Sequence, residues 1–411
     1  MKNYEKKIHI SNINLSKINK LRKNKEAFSI SDLLEILSIK KTLLFVALLI
    51  VFLYPHKSKE KIQINQIEEY FNTTIRNNSV LFFEELTYHY ECIPGFSKYF
   101  LDLGYNIDII MTKNGKDIFS FFKNKEKIRL YIWNNSKYYF GDKYIQKFRV
   151  SFSKYVAIII PTMEGFMKKF YNGTNLITGN NSIFVYHFFP FMNQIDFHNR
   201  NRSWTLFNFT KKALGVNPHY FGDIKQRDKN KITRFFITST IARNYTDFIS
   251  AVDQLQRENY KFHVVVTGRF ETLSYEKLPD NVKEYFTFKT HTSYIELFKI
   301  IDSVDFIIIN LKYKHKMDNY YINVRATGTS QLSYGFLKPC LIQTYFAPTY
   351  KMNDNNSLIY NETMYYAMRD AIMMSNKKYK KMQFHLKKTA DQIYETSLNN
   401  VKISIDNILQ K

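Results

Sequence analysis

Short apolar runs, bounded by polar or glycine-containing turns, recur along the chain. Between them lie stretches with apolar residues three and four apart. Val80–Phe83, Asn106–Met111, Ile128–Trp133, Tyr155–Ile160 and Ser182–His187 read as buried strands. Gln63–Asn78, Phe96–Leu103, Asp117–Asn124 and Asp142–Phe148 read as helices. Pro94 suits a first helical turn and Gly104 a helix end. The pattern restarts at Ile232–Ile237. A helix follows at Asp247–Arg257, with Thr246 as its expected N-cap and Phe248, Ile249, Val252 and Leu255 on its apolar face. Strands are expected at Phe262–Gly268 and Tyr285–Phe288, and a capping box at Ser293–Glu296 opens the next helix. A strand at Val304–Leu311, a short helix before Lys338-Pro339, strands at Cys340–Thr344 and Ser357–Tyr360, and helices from Glu362 and from Lys381 complete the chain. Regular alternation of strand and helix predicts an α/β fold of doubly wound parallel sheets.

The 411 residues suffice for two domains of ordinary size and an extension. With 45% hydrophobic and 17% aromatic residues, wholesale disorder is excluded. The two cysteines, Cys92 and Cys340, are far apart, so neither a disulfide framework nor a zinc motif is present; Cys340 reads as a small core hydrophobe. Sixty Lys and Arg against 36 Asp and Glu give a net charge of +24. That excess suits an anionic membrane surface or a phosphorylated substrate. No nucleic-acid-binding module is recognisable, and nucleic acid is not expected as a partner.

The first 61 residues read as a basic extension containing a hydrophobic segment at 42–54. That segment, Thr42–Tyr54, carries no charge, ends at Pro55, and is flanked by Lys40, Lys41, Lys57, Lys59 and Lys61. Its length of about 13 residues is short of the ~20 of a comfortable membrane span. A membrane-attached helix, a buried core element and, least favoured, a signal peptide are the readings it admits. The first places the remaining chain at a membrane, on the cytoplasmic side.

Ligands of doubly wound sheets lie beyond the carboxyl ends of the strands. In the first half those ends carry His89, Glu91, Glu164 and His187. In the second half the strand Val304–Leu311 leads, through a basic aromatic loop, to Thr327-Gly328-Thr329-Ser330 at a helix start. Such a turn offers N–H groups and a helix dipole to a phosphate. Arg243 follows the strand that opens this half, and Lys312, Lys314 and Lys316 lie in the loop. No Asp-x-Asp pair sits at a strand end, so neither a metal nor another cofactor is expected.

From Ile232 to about Tyr360 the ordered set Arg243, Ala251 and Leu255, Gly268, Ser293–Leu297, Asp305–Ile308 and Phe336-Leu-Lys-Pro339 resembles the C-terminal domain of retaining GT-B glycosyltransferases, family 4 in particular. The resemblance implies two Rossmann-like domains: an acceptor domain over 62–225 and a nucleotide-sugar domain over 226–380. A last helix over 381–411 would return to the first domain. The family's two glutamates, eight residues apart, would fall at Val324 and Leu332, so the usual acidic pair is absent. One residue earlier, Asn323 and Gln331 keep the spacing as amides, which can bond hydroxyls but cannot act as carboxylates.

The resemblance implies donor-binding roles for Arg243, Gly268, Asn323, Thr327, Gly328, Thr329, Ser330 and Gln331. It makes His89 and Glu91 the candidates for acceptor binding or base work, with Glu164 and His187 on the acceptor side. The expected activity is sugar transfer from a nucleotide-sugar to a cell-surface glycan or a lipid-linked acceptor. A catalytically inactive GT-B-like assembly protein and a basic membrane-surface or nucleic-acid binder are the alternatives.

Overall fold

The computed structural model describes residues 67–84, 89–111, 115–123, 125–132, 142–163, 181–187, 200–240, 243–268, 273–290 and 292–410, with backbone alone at 116, 142–145 and 323. The segment 42–54 and Glu164 lie outside the described residues.

The first sheet contains β1 (Ser79–Glu84), β2 (Asn106–Met111), β3 (Ile128–Ile132), β4 (Ala157–Ile160), β5 (Ser182–Tyr186), β6 (Ser203–Thr205) and β7 (Leu214–Gly215), in the order β3-β2-β1-β4-β5-β6-β7. Every pairing is parallel. The second sheet contains β8 (Thr233–Ser239), β9 (Phe262–Gly268), β10 (Phe286–Lys289), β11 (Phe306–Ile309), β12 (Cys340–Gln343) and β13 (Leu358–Tyr360), in the order β10-β9-β8-β11-β12-β13, again all parallel. Both orders reverse beside the sheet's first strand, which opens a crevice at the strand ends. Strands covered on both faces must be apolar throughout, hence runs such as Phe306-Ile-Ile-Ile309, buried at every position.

The helices that position the site are α1 (Cys92–Asp102), α2 (Asp142–Phe152), α3 (Thr246–Arg257), α4 (Tyr294–Ser303), α5 (Tyr320–Asn323), α6 (Gly328–Phe336), α7 (Met364–Met373) and α8 (Asn376–Leu409). The Ser293–Glu296 capping box forms as expected. Three expectations need correction. The helix expected over Asp117–Asn124 is a single 3-10 turn at Lys116–Phe119. Phe121 pairs in parallel with Gly222, and that bridge demands extended backbone. Thr246 is the first helical residue of α3 and not its cap; Tyr245 holds the N-cap position without a side-chain bond, and Asn244 before it accepts the Thr246 N–H at 2.9 Å. The helix expected over Gln63–Asn78 stops at residue 72.

The helix α8 starts five residues before the Lys381 expected for it, because Ser375 caps it by accepting the Lys378 N–H. At 34 residues it is about 51 Å long and runs along both halves. Near its start, Tyr379 donates to the Asp305 carbonyl at 2.9 Å and Gln383 to the Leu337 carbonyl at 3.0 Å. Farther on, Ser397 accepts the Asn217 N–H at 3.0 Å, Asn400 donates to the Gly215 carbonyl at 2.8 Å, and Trp204 donates to Ser404 at 2.8 Å. A Cβ at Gly335 of α6 would lie 2.3 Å from the His219 carbonyl oxygen. Glycine thus lets α6 press onto the segment that leaves the first sheet. These contacts fix the start of α6 relative to the first sheet's strand ends.

Candidate functional site

In the first sheet β1, β4 and β5 are neighbours, so the residues that follow their ends meet. His89, in a left-handed backbone conformation (φ 68°), stacks on His187 with ring centroids 4.0 Å apart. The His187 Nε2–H donates to the Pro161 carbonyl at 2.8 Å, leaving Nδ1 as the neutral ring's acceptor. Burial, then the neighbouring His89 and Arg325, holds the His187 pKa well below its ordinary value, against the opposing Pro161 bond. Glu91 stands at the head of α1 with a carboxylate oxygen 3.5 Å from His89 Nδ1. Burial would raise its pKa, but the bond and charge from His89 and a bond from Tyr294 prevail and lower it. Glu91 is therefore an anion placed to orient His89 and to stabilise its imidazolium.

The second sheet supplies the opposite rim. Gly268 ends β9 with φ 106°, and a Cβ there would lie 2.4 Å from the Ser239 carbonyl oxygen, so only glycine fits. Gly328 opens α6, and a Cβ built on it would meet nothing within 4 Å. Thr327 gives this helix no side-chain cap, and the Ser330 N–H turns back to the Thr327 carbonyl at 3.1 Å, so the N–H groups of Gly328 and Thr329 are left for other acceptors. Thr329 faces Thr238 across the crevice, with hydroxyl oxygens 3.5 Å apart. The Ser330 hydroxyl turns back onto the Thr327 carbonyl at 2.7 Å, which commits it locally. Gln331 is buried, its Oε1 3.8 Å from Cys92 Sγ of α1, and its Nε2 has no partner. Asn323 is the last residue of α5.

Arg243 is differently placed from what its position in the chain suggests. Its guanidinium bonds Asp318 at 2.6 Å and lies 4.3 Å from the centre of the Tyr321 ring. Asp318 also accepts the Lys312 N–H at 2.9 Å and lies 3.3 Å from His315. Beside that pair, the rings of Tyr313 and Tyr345 meet with centroids 3.9 Å apart and planes tilted by 42°.

The structure thus brings His89, Glu91 and His187 together and sets α6 beside them, through Cys92–Gln331 and through Arg325, whose charge reaches His187. Three residues of this rim escape a reading of the sequence. Glu84, buried at the end of β1, accepts a hydrogen bond from Thr162 at 2.7 Å. Tyr294 bonds Glu91 from the second half, and Arg325 stands three residues before Gly328. Arg325 had a local signal, as the one cation directly before the small-residue turn.

No protein-family model matches the chain, and no curated protein matches it in sequence. Solved structures do. Sucrose-phosphate synthase from Thermosynechococcus elongatus shares 9% identity, covering 81% of this chain and 100% of its own, with a TM-score of 0.47. Anabaena HepE in complex with UDP-glucose gives the same identity, coverages and score. The avilamycin A biosynthesis glycosyltransferase AviGT4 shares 9% identity over 78% of this chain and 98% of its own, TM-score 0.47. These superpositions are loose, and the strand orders carry the assignment. Two parallel sheets, each with its order reversed beside its first strand, are joined by a last helix that touches both. The fold is GT-B. In GT-B terms, the His89 cluster occupies the strand ends of the first sheet and α6 the corresponding place in the second. Among the described residues no group of acidic, His and Cys side chains could hold a metal ion, and no helix is long and apolar enough to cross a membrane.

Proposed function

We propose that this protein is a glycosyltransferase that moves a sugar from a nucleotide-sugar donor to a glycan or lipid-linked acceptor. The observation that carries this reading is the meeting of the His89–Glu91–His187 cluster with the uncapped N-terminus of α6 across one cleft. The acceptor hydroxyl gives its proton to His89, and Glu91 orients the ring and stabilises the resulting imidazolium. The N–H groups of Gly328 and Thr329 and the α6 dipole meet the charge that develops on the leaving diphosphate, without a metal. Gly268 keeps side chains off the rim, and Gln331 and Asn323 supply amides for donor hydroxyls. His187 lies on the acceptor side, where the sequence also leads us to expect Glu164. The uncharged 42–54 segment with its lysine flanks fits attachment to an anionic membrane, where a lipid-linked acceptor would lie.

The test is titration of the full chain with UDP, GDP and their sugars, followed by product analysis with glycan and lipid-linked acceptors. Saturable nucleotide binding is expected, with transfer reduced at least a hundredfold by His89→Ala. A folded protein that binds none of these nucleotides would refute the reading. The absence of acidic residues at Val324 and Leu332 favours a second reading, a GT-B-like binding module. It predicts nucleotide binding without transfer, and no effect of His89→Ala.

A further inference from the structure

Two arginines share the ring of Tyr321. The guanidinium carbon of Arg243 lies 4.3 Å from its centre and that of Arg325 5.3 Å. Asp318 neutralises the first: the pair is 2.6 Å apart, with side chains only 11% and 2% exposed. No carboxylate of the described residues lies within ion-pair distance of the second, which is only partly buried. The Arg325 charge also acts on His187 at the rim of the first sheet, disfavouring its protonation. A few residues on in the chain, the start of α6 presents donors: the uncapped N–H groups of Gly328 and Thr329 and the partnerless Nε2 of Gln331, a residue 1% exposed. A half-buried cation among unsatisfied donors, in reduced dielectric, is a site for an oxyanion.

We propose that Arg325, and not Arg243, is the cation that binds the phosphates of the ligand at this rim, the diphosphate of a nucleotide. Naming a nucleoside diphosphate rests on the glycosyltransferase reading; the oxyanion site rests on the geometry alone. Arg243 then serves as a structural post that holds Tyr321 beneath Arg325. Its bond to Asp318 leaves the cleft one fixed positive charge from this pair of arginines. The planar fork of Arg325 suits two phosphate oxygens at once, which a lysine cannot match.

The full chain is titrated with inorganic pyrophosphate and with UDP and GDP, as wild type, Arg325→Gln, Arg325→Lys and the exposed-surface control Lys378→Gln. Circular dichroism checks that each variant is folded. Arg325→Gln should weaken pyrophosphate and nucleotide binding at least tenfold, Arg325→Lys should restore part of it, and Lys378→Gln should change it less than twofold. NMR titration of the His187 ring should show its pKa rising in Arg325→Gln and staying low in Arg325→Lys. If nucleotides bind and Arg325→Gln leaves their affinity within threefold, the inference is overturned and the glycosyltransferase reading survives. If pyrophosphate binding depends on Arg325 but no nucleotide binds more tightly than pyrophosphate, the inference stands and that reading fails. A folded wild type that binds no pyrophosphate overturns the inference.

Discussion

Arg243→Met is expected to lower the stability of the chain by about 3 kcal/mol, because it strands Asp318. At a separation of 2.6 Å and an effective dielectric of about 20, the gross Coulomb attraction of this pair is about 6 kcal/mol. Desolvation of two nearly inaccessible groups offsets most of it, so the intact pair adds little net stability. Removing one partner is another matter: a carboxylate 2% exposed cannot recover its hydration. Breaking such pairs costs about 3–5 kcal/mol. The low end applies here, because the Lys312 N–H at 2.9 Å and His315 at 3.3 Å remain with Asp318. Asp318→Leu should cost about 2 kcal/mol, because Arg243 keeps the Tyr321 face and some access to water. Arg243→Met combined with Asp318→Leu should lie within about 1 kcal/mol of wild type, since an apolar pair replaces the ionic one. The coupling energy of the cycle is then about 4–6 kcal/mol, above the upper end of contacting pairs. Urea unfolding at pH 7, followed by circular dichroism, measures all four proteins. If Arg243→Met falls within 0.5 kcal/mol of wild type, Arg243 is not committed to Asp318 and is available to a ligand.

His219 lies buried between Asn217 and the Ala390 carbonyl, and burial, opposed by those bonds and by Asp391, lowers its pKa from 6.5 to about 4. Between those values the unfolded chain binds more protons than the folded one, so this contribution is complete above pH 6.5 and is lost as pH falls through 4. The full span is about 3 kcal/mol. The stability difference between wild type and His219→Asn, from urea unfolding at pH 7.5 and pH 4, should shrink at the lower pH; an unchanged difference rejects the assignment. Gly268→Ala meets both a φ of 106° and the Ser239 carbonyl at 2.4 Å, and should cost about 2–3 kcal/mol in a thermal or urea melt. Lys351, exposed with φ 54°, should gain about 0.5–1 kcal/mol from Lys351→Gly, and a loss on melting would contradict the backbone assigned there.

The strands were legible because parallel sheets buried on both faces leave near-continuous apolar runs in the sequence. What failed depended on distant residues. Phe119, Phe121 and Phe122 have helical spacing, yet Phe121 is extended because its backbone pairs with Gly222, about a hundred residues away. The start of α8 was hidden by its lysines, whereas one Ser375 hydroxyl on the Lys378 N–H sets it. In the site, ionisable residues at successive strand ends pointed to His89, Glu91 and His187, which the sheet order then brought together. The roles of the two arginines could not be read in the same way. Which one remains unpaired depends on Asp318, 75 residues from Arg243 along the chain.

The missing acidic pair and the committed Arg243 bear on the same balance of charge. Leu332, at one position where the family's glutamate would stand, is 7% exposed and packed in the core cluster, so it presents nothing to a ligand. Gln331 occupies the adjacent place in the first turn of α6, deeper still. A carboxylate buried there would need a cation, and any cation it took would be withdrawn from the phosphates. The neutral amide makes no such demand. It leaves the charge of Arg325 and the α6 dipole uncompensated. With Arg243 already balanced by Asp318, a second carboxylate near Arg325 would leave no net positive charge from these two arginines. Under the proposal that Arg325 holds the phosphates, the neutral amide at 331 therefore fits a cleft that keeps its positive charge on a different arginine.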